Sequence, residues 1–536
     1  MKAARTPFEE GLAAVERGDY GRAEAIARAL FARDREDVHA LQLVGFAAFR
    51  QGRNREALEA FWRANRVAPG QPALLYWLGV LYMERGDFEQ AERAFAQTVR
   101  IDPRHAEAWC QLGETLYHLD RQAEAKDAHE RALAALPDSP AVLARCARFF
   151  ETLHDLDRAR ALAERAHALA PADALAAIAL AEIRLREGRC EDVLAIAAPA
   201  LAGGADRNRA KLLHLSAAAL DRIGRCAEAF DRLQAAHALQ RELCAERPLA
   251  DMSPLHPDAL SRMIVFLESA DLATWTVHAD LEEQAPVFLL GFVRSGTTWL
   301  DQILSSHPDI AVMEEEDNLQ DAWRALTISE EGLARLAGLT RADVYHWRRK
   351  YWERARQSLR ADVGAPIVVD KLPLNTAQLP LIWRLFPDAK IIFALRDPRD
   401  AVLSAYQQLF QINTGMFHFL ELSGAAKFYD QVMTIGALTR QKAPLDLCEI
   451  RYERLVGDFR SEIARLLDFL EAPWSDAVLS YDETAKARAV RTPSRAQVVE
   501  KPYDTSIGKW RRYEKEMAPA LDTLGRWAVR FGYPAG

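Results

Sequence analysis

Pro69, Pro103, Pro137 and Pro171 stand 34 residues apart. Small residues keep the same spacing at Gly45, Gly79, Gly113 and Ala147, and a third column runs through Ala57, Ala91, Ala125 and Ala159. Three columns in phase constrain the fold more than any single motif. The small residue of a first helix and the alanine of a second let two backbones approach. The proline then ends the second helix, because it has no N–H to donate and clashes with the preceding turn. Each period is therefore one helical hairpin, and stacked hairpins form a solenoid. Gly11 and Ala23 extend the register backward. Ala217 and Ala229 extend it forward after a two-residue slip near Gly203 and Gly204.

The order small–Ala–Pro resembles the tetratricopeptide repeat, and "ALLYWLGVLYMERGDFEQAERAFAQTVRIDP" (73–103) carries the resemblance most fully. About seven units are expected, giving an all-α tetratricopeptide solenoid over residues 1–240. The resemblance implies a concave surface that takes an acceptor peptide or a partner protein. Residues 241–284, with Pro248, Pro254 and Pro257, read as a linker with one short amphipathic helix in "HPDALSRMIVFLESA".

Composition narrows the function classes. With 536 residues the chain is long enough for more than one domain. Its net charge of −8 gives no reason to expect a nucleic-acid partner. No apolar run approaches the ~18 residues of a membrane span. The first twenty residues carry acidic side chains where a signal peptide needs an apolar core. Six scattered cysteines without a C-x-x-C pair argue against a zinc site or a disulfide framework. A cytoplasmic protein is expected.

From Pro286 the period changes. "PVFLLGF" reads as a buried parallel strand, followed by a glycine loop and the helical spacing of "SGTTWLDQILSSHP". Strand, glycine loop and helix are the context of a phosphate-binding loop. Further strands are expected at 366–371, 389–397 and 446–453, with helices between them. The second domain, 285–536, is thus predicted to be a P-loop-like α/β domain with a parallel sheet. Ligands of such sheets sit at the strands' carboxyl ends. Those ends carry Arg294, Lys371, Arg396 and Tyr452. The loop lacks the lysine that reaches the β- and γ-phosphates, because Thr297 stands in its place.

"GFVRSGTTWL" with "FALRDPRDAVLSAY" resembles the sulfotransferase superfamily that uses 3′-phosphoadenosine 5′-phosphosulfate, and within it the tyrosylprotein sulfotransferase branch. The resemblance covers about residues 286–536. It implies that the loop, through Arg294, Ser295, Gly296, Thr297 and Thr298, wraps the 5′-phosphosulfate of the donor. That donor carries no triphosphate–magnesium group, so no metal is required. It implies that Arg396 and Ser404 hold the ribose 3′-phosphate, which ATP lacks. A bland reading of Arg396 is a surface ion pair with Asp397 or Asp400. By the same resemblance Tyr452 lies near the adenine, or else packs in the core, and the closing segment "RTPSRAQVVEKPYDTSIGKWRRY" contributes Ser494 and Lys509.

Sulfuryl transfer needs a base for the acceptor's proton and a cation for the departing phosphate. The family base follows the loop helix, and here that segment reads "HPDIAVMEEEDN" (307–318). Counting from Arg294 places Glu315 on it, with Glu314 and Glu316 one step to either side. Lys371 matches the family lysine at the leaving oxygen, Asp370 is expected to be structural, and His307 is a fallback base read as structural. Two alternatives are a P-loop kinase-like phosphotransferase, which the missing loop lysine disfavours, and a repeat scaffold that merely retains a nucleotide fold, which the intact Lys371 disfavours.

Overall fold

The computed structural model describes residues 5–202, 206–244, 253–279, 281, 284–359, 366–481 and 506–535. They form two compact units. One comprises Met1–Arg225 with Glu242–Arg247, the other Cys226–Arg241 with Pro248–Gly536.

The first unit is helical throughout. Six hairpins run from Pro7–Glu16 with Tyr20–Phe31 to Ala174–Arg186 with Cys190–Ala200, and Arg207–Arg222 follows them. Each phased proline stands just past a second helix, as Pro103 stands after Phe88–Ile101. Asp19, Asp37, Asp155 and Asp173 cap helices by accepting a backbone N–H of the first turn. The glycine column marks close approach. A Cβ at Gly45, Gly79 or Gly113 would come within 2.7, 2.6 or 2.5 Å of Phe61, Phe95 or His129. The last of these partners is an imidazole where the earlier repeats place a phenyl ring.

The helix Cys226–Cys244 continues the repeat pattern in sequence, but residues 226–241 cluster with the second unit. Its buried face explains why. Phe230 stacks on Tyr406 at 5.4 Å, and His237 Nε2 donates to the Tyr406 carbonyl at 2.8 Å. The helix Pro257–Ser269, within the expected linker, also belongs to this unit. Lys442 Nζ donates to the carbonyls of Leu267, Glu268 and Ala270, closing its carboxyl end.

The second unit is built on a fully parallel five-stranded sheet in the order β2-β3-β1-β4-β5. The strands are β1 (Val287–Gly291), β2 (Ile310–Glu314), β3 (Ile367–Lys371), β4 (Lys390–Leu395) and β5 (Asp446–Arg451). Both faces are covered, as a parallel sheet requires. Val287 and Leu289 pack with Leu300, Ile303 and Ile463 on one side. On the other, Phe288 meets Tyr351 and Phe386. β2 had no counterpart among the strands expected from sequence. "IAVME" is short and alternates weakly, and its strand character comes from pairing with β3 in the register Glu314↔Lys371. The chain leaves β1 for one edge of the sheet and crosses back to β4. The carboxyl end of β1 is therefore the topological switch point where ligands bind.

Candidate active site

All five strand ends converge there. After β1, Phe292–Gly296 turns into the helix Thr297–Ser305, with Ser295, Thr297 and Thr298 buried. Gly296 has φ 92°, and a Cβ on it would meet the Tyr452 ring at 2.9 Å, so the loop closes only with glycine there. No side chain caps this helix. Its first-turn N–H groups are the partners an anion would use.

Arg396 follows β4 and is buried. Its Nη1 donates to the Arg294 carbonyl at 3.2 Å and its Nη2 to the Ser506 carbonyl at 2.7 Å. The guanidinium lies 4.6 Å from the Tyr452 ring centroid, and the Tyr452 hydroxyl meets Ser506 Oγ at 3.0 Å. Asp397 is engaged by Arg399 at 2.7 Å, and Asp400 accepts the N–H groups of Gly508 and Trp510. Asp400 lies near enough for the Arg396 charge to act on its carboxyl, but among the described residues neither aspartate forms an ion pair with Arg396, and its Nε is buried with no hydrogen-bond partner. A buried guanidinium in that state suits a bound anion. Ser404 Oγ accepts from Arg294 Nε at 3.1 Å, so Arg294, assigned to the first motif by sequence, also stands with the second. Lys509 Nζ donates to Gln407 Oε1 at 2.8 Å. Ser494 lies outside the described residues.

Lys371 ends β3 with no exposed surface. Its Nζ is 2.9 Å from Glu315 Oε1, 3.6 Å from Glu314 and 3.7 Å from Asp301. The register creates this cluster. Glu314 pairs with Lys371 across β2 and β3, and Glu315 N donates to the Lys371 carbonyl at 2.8 Å. Glu315 then adopts φ 54°, a left-handed conformation disfavoured for a side chain of its size, and its carboxylate meets the ammonium. Such strain persists where surrounding structure holds it. Asp301 was not singled out from sequence, although it lies four residues after Thr297 and so on the same helix face. Ser506 had no signal of its own.

His307 has both nitrogens engaged. Nε2 donates to the Pro473 carbonyl at 2.8 Å, and Nδ1 accepts from Asp309 N at 3.1 Å. Asp370 points away from Lys371. Its Oδ2 accepts from Tyr351 Oη at 2.7 Å and from Asn318 Nδ2 at 3.0 Å, while Oδ1 is buried with no partner among the described residues.

Burial raises the Asp370 carboxyl from 3.8 to about 6, against the lowering pull of its Tyr351 and Asn318 bonds. The folded protein therefore holds this proton more tightly than the unfolded chain. The cost of ionising it is absent below pH ~4, grows between ~4 and ~6, and is complete above that, reaching about 3 kcal/mol. Asp370→Asn keeps one acceptor for both donors and places its amide where Oδ1 has none. Urea unfolding between pH 4 and 7 is expected to show a loss of stability in the wild type that the variant lacks. Parallel pH profiles would contradict this.

Residues 286–476 match the family described as "Sulfotransferase family". This part of the chain is a sulfotransferase-family domain. Residues 8–72, 48–114 and 84–149 match tetratricopeptide repeats. An uncharacterized protein of Aquifex aeolicus (strain VF5) is 31% identical over 245 residues, 45% of this chain and 32% of that protein. The protein-tyrosine sulfotransferase of Drosophila melanogaster is 28% identical over 39% of this chain and 42% of its own. Protein-tyrosine sulfotransferase A of Caenorhabditis elegans is 25% identical over 46% and 67%. Among solved structures, a tetratricopeptide repeat protein from Parabacteroides merdae ATCC 43184 aligns over 45% of this chain and 96% of its own, with 18% identity and TM-score 0.36. The sulfotransferase domain thus holds the loop, the Arg396 cluster and the Glu315–Lys371 pair within one sheet edge.

Proposed function

We propose that the sulfotransferase domain moves a sulfuryl group from 3′-phosphoadenosine 5′-phosphosulfate to a hydroxyl or amine acceptor, in the cytoplasm and without a metal. The observation that carries this reading is where the lysine comes from. It rises from the end of β3, beside a carboxylate, instead of from the loop. The donor fits the residues present. The uncapped helix start with Ser295, Thr297 and Thr298 would hold the 5′ end. Arg396, whose Nε has no partner among the described residues, would hold the 3′-phosphate with Ser404 and Arg294. Tyr452 would lie near the adenine, with Ser494 and Lys509 covering the phosphates. The donor supplies an activated sulfuryl group on a phosphate.

Glu315 takes the proton of the acceptor as the acceptor's oxygen or nitrogen bonds to sulfur. Lys371 offsets the charge left on the phosphate oxygen as its bond to sulfur breaks. Asp301 and Glu314 hold Lys371 from two further sides. The relatives' names make a peptide tyrosine the first acceptor class to assay. The six cysteines, all unpaired, support a reducing compartment. No helix among the described residues is long and apolar enough to cross a membrane.

Lys371→Ala is expected to lower turnover about 10²–10³-fold, the usual effect of removing one preorganised charge-stabilising group. Single-turnover assays beside a circular-dichroism check of folding measure it, and retained turnover in a folded variant would overturn the role.

The repeats are proposed to recruit or orient the acceptor. A chain beginning at Cys226 keeps the helix that packs on Tyr406. It is expected to bind nucleotide as the full chain does and to lose activity on a macromolecular acceptor. Equal activity of the two chains on that acceptor would assign the repeats another task.

A further inference from the structure

Three departures from the repeat columns meet inside the solenoid. The column Phe61, Phe95 continues as His129. The column Leu78, Leu112 continues as Cys146, and Tyr76 is followed by Cys110. The three residues come from the helices Ala106–His118, Gln122–Ala135 and Pro140–Thr152. None has exposed surface. Their ligand-capable atoms all lie within 4.8 Å of one another. Cysteine spacing in the sequence argued against a metal site, because here the ligands are gathered from three helices of adjacent repeats and not from one short motif.

We infer that Cys110, His129 and Cys146 form a buried binding site for a thiophilic d¹⁰ metal ion, Zn(II) or Cu(I), inside the repeat domain. The spacing fits. A metal held at about 2.3 Å by sulfur and about 2.0 Å by nitrogen, at trigonal to tetrahedral angles, separates the two ligands by about 3.5–3.7 Å. Cys146 Sγ and His129 Nδ1 are 3.6 Å apart. The donor set is soft, which selects these ions. Charge closes too. Two thiolates with Zn(II), or one thiolate and one thiol with Cu(I), sum to zero, as a dry apolar site requires. Metal binding releases the corresponding thiol protons.

The imidazole is ready to coordinate. His129 Nε2 is buried with no partner among the described residues, a penalty the phenyl ring of the neighbouring repeats avoids.

The test uses the full chain, expressed with zinc and copper in the medium and purified under reducing conditions. Elemental analysis is expected to find about one equivalent of zinc or copper per chain, with zinc and copper content telling the two ions apart. His129→Phe restores the residue of the repeat column and so preserves the fold, and it is expected to lose the metal. Cys146→Leu, likewise a column residue, is expected to do the same. Cobalt(II) added during refolding should give a thiolate-to-metal charge-transfer band in the wild type and in neither variant. Wild-type protein that holds no metal as purified or after refolding with Zn(II) or Cu(I) would overturn the site. So would equal metal content in wild type and His129→Phe.

Discussion

Glu315→Gln is expected to slow turnover about 10²–10⁴-fold, the range for loss of a general base, while leaving donor affinity nearly unchanged. Glutamine keeps the shape and still accepts a hydrogen bond from Lys371 Nζ, now 2.9 Å from the carboxylate. It removes only the basicity. The same change at Glu314 and Glu316 separates a specific base from a general acidic environment. Glu314 lies 3.6 Å from Lys371, farther than Glu315. Its variant is expected to lose less than Glu315→Gln, and Glu316→Gln to lose little. A Glu315→Gln enzyme with near wild-type turnover, beside an inactive neighbour, would move the base by one residue. His307 is not a substitute, because a carbonyl and a backbone N–H already occupy its two nitrogens.

Arg396→Ala is expected to abolish most of the preference for 3′-phosphoadenosine 5′-phosphate over AMP. The lost charge-assisted contact is on the order of 2 kcal/mol, or about 30-fold in affinity. AMP binding should change far less, since it lacks the 3′-phosphate. Titration calorimetry on both proteins with both nucleotides reads the difference directly. A variant that kept the full preference would place the 3′-phosphate elsewhere, with Arg294 and Ser404 as the nearest alternatives.

The solenoid was legible in the sequence because packing imposes its period. Gly79 must face Phe95 and a proline must end the second helix, so the columns repeat. The glycine loop after β1 was legible for a similar reason, since Gly296 has no room for a side chain. The strand ends carrying Lys371, Arg396 and Tyr452 announced themselves through apolar runs. β2 did not, because "IAVME" becomes a strand through its pairing with β3. The contact between Glu315 and Lys371 followed from that hidden register, and from a left-handed residue no local signal marks. The split of the last repeat was equally hidden. The period continues through Cys226–Cys244, while Phe230 and His237 bury against Tyr406, far away in sequence. Ser506 reaches Arg396 and Tyr452 only through folding of the carboxyl-terminal segment.

The most direct single measurement is competition for the wild-type site among 3′-phosphoadenosine 5′-phosphate, AMP and magnesium–ATP. A loop without its lysine, facing a buried Arg396 whose Nε has no hydrogen-bond partner among the described residues, should bind the 3′-phosphorylated nucleotide more tightly than AMP by at least an order of magnitude. Magnesium–ATP should displace it poorly. Equal affinity for 3′-phosphoadenosine 5′-phosphate and AMP, or displacement of both by magnesium–ATP, would contradict the donor assignment and favour a phosphotransferase.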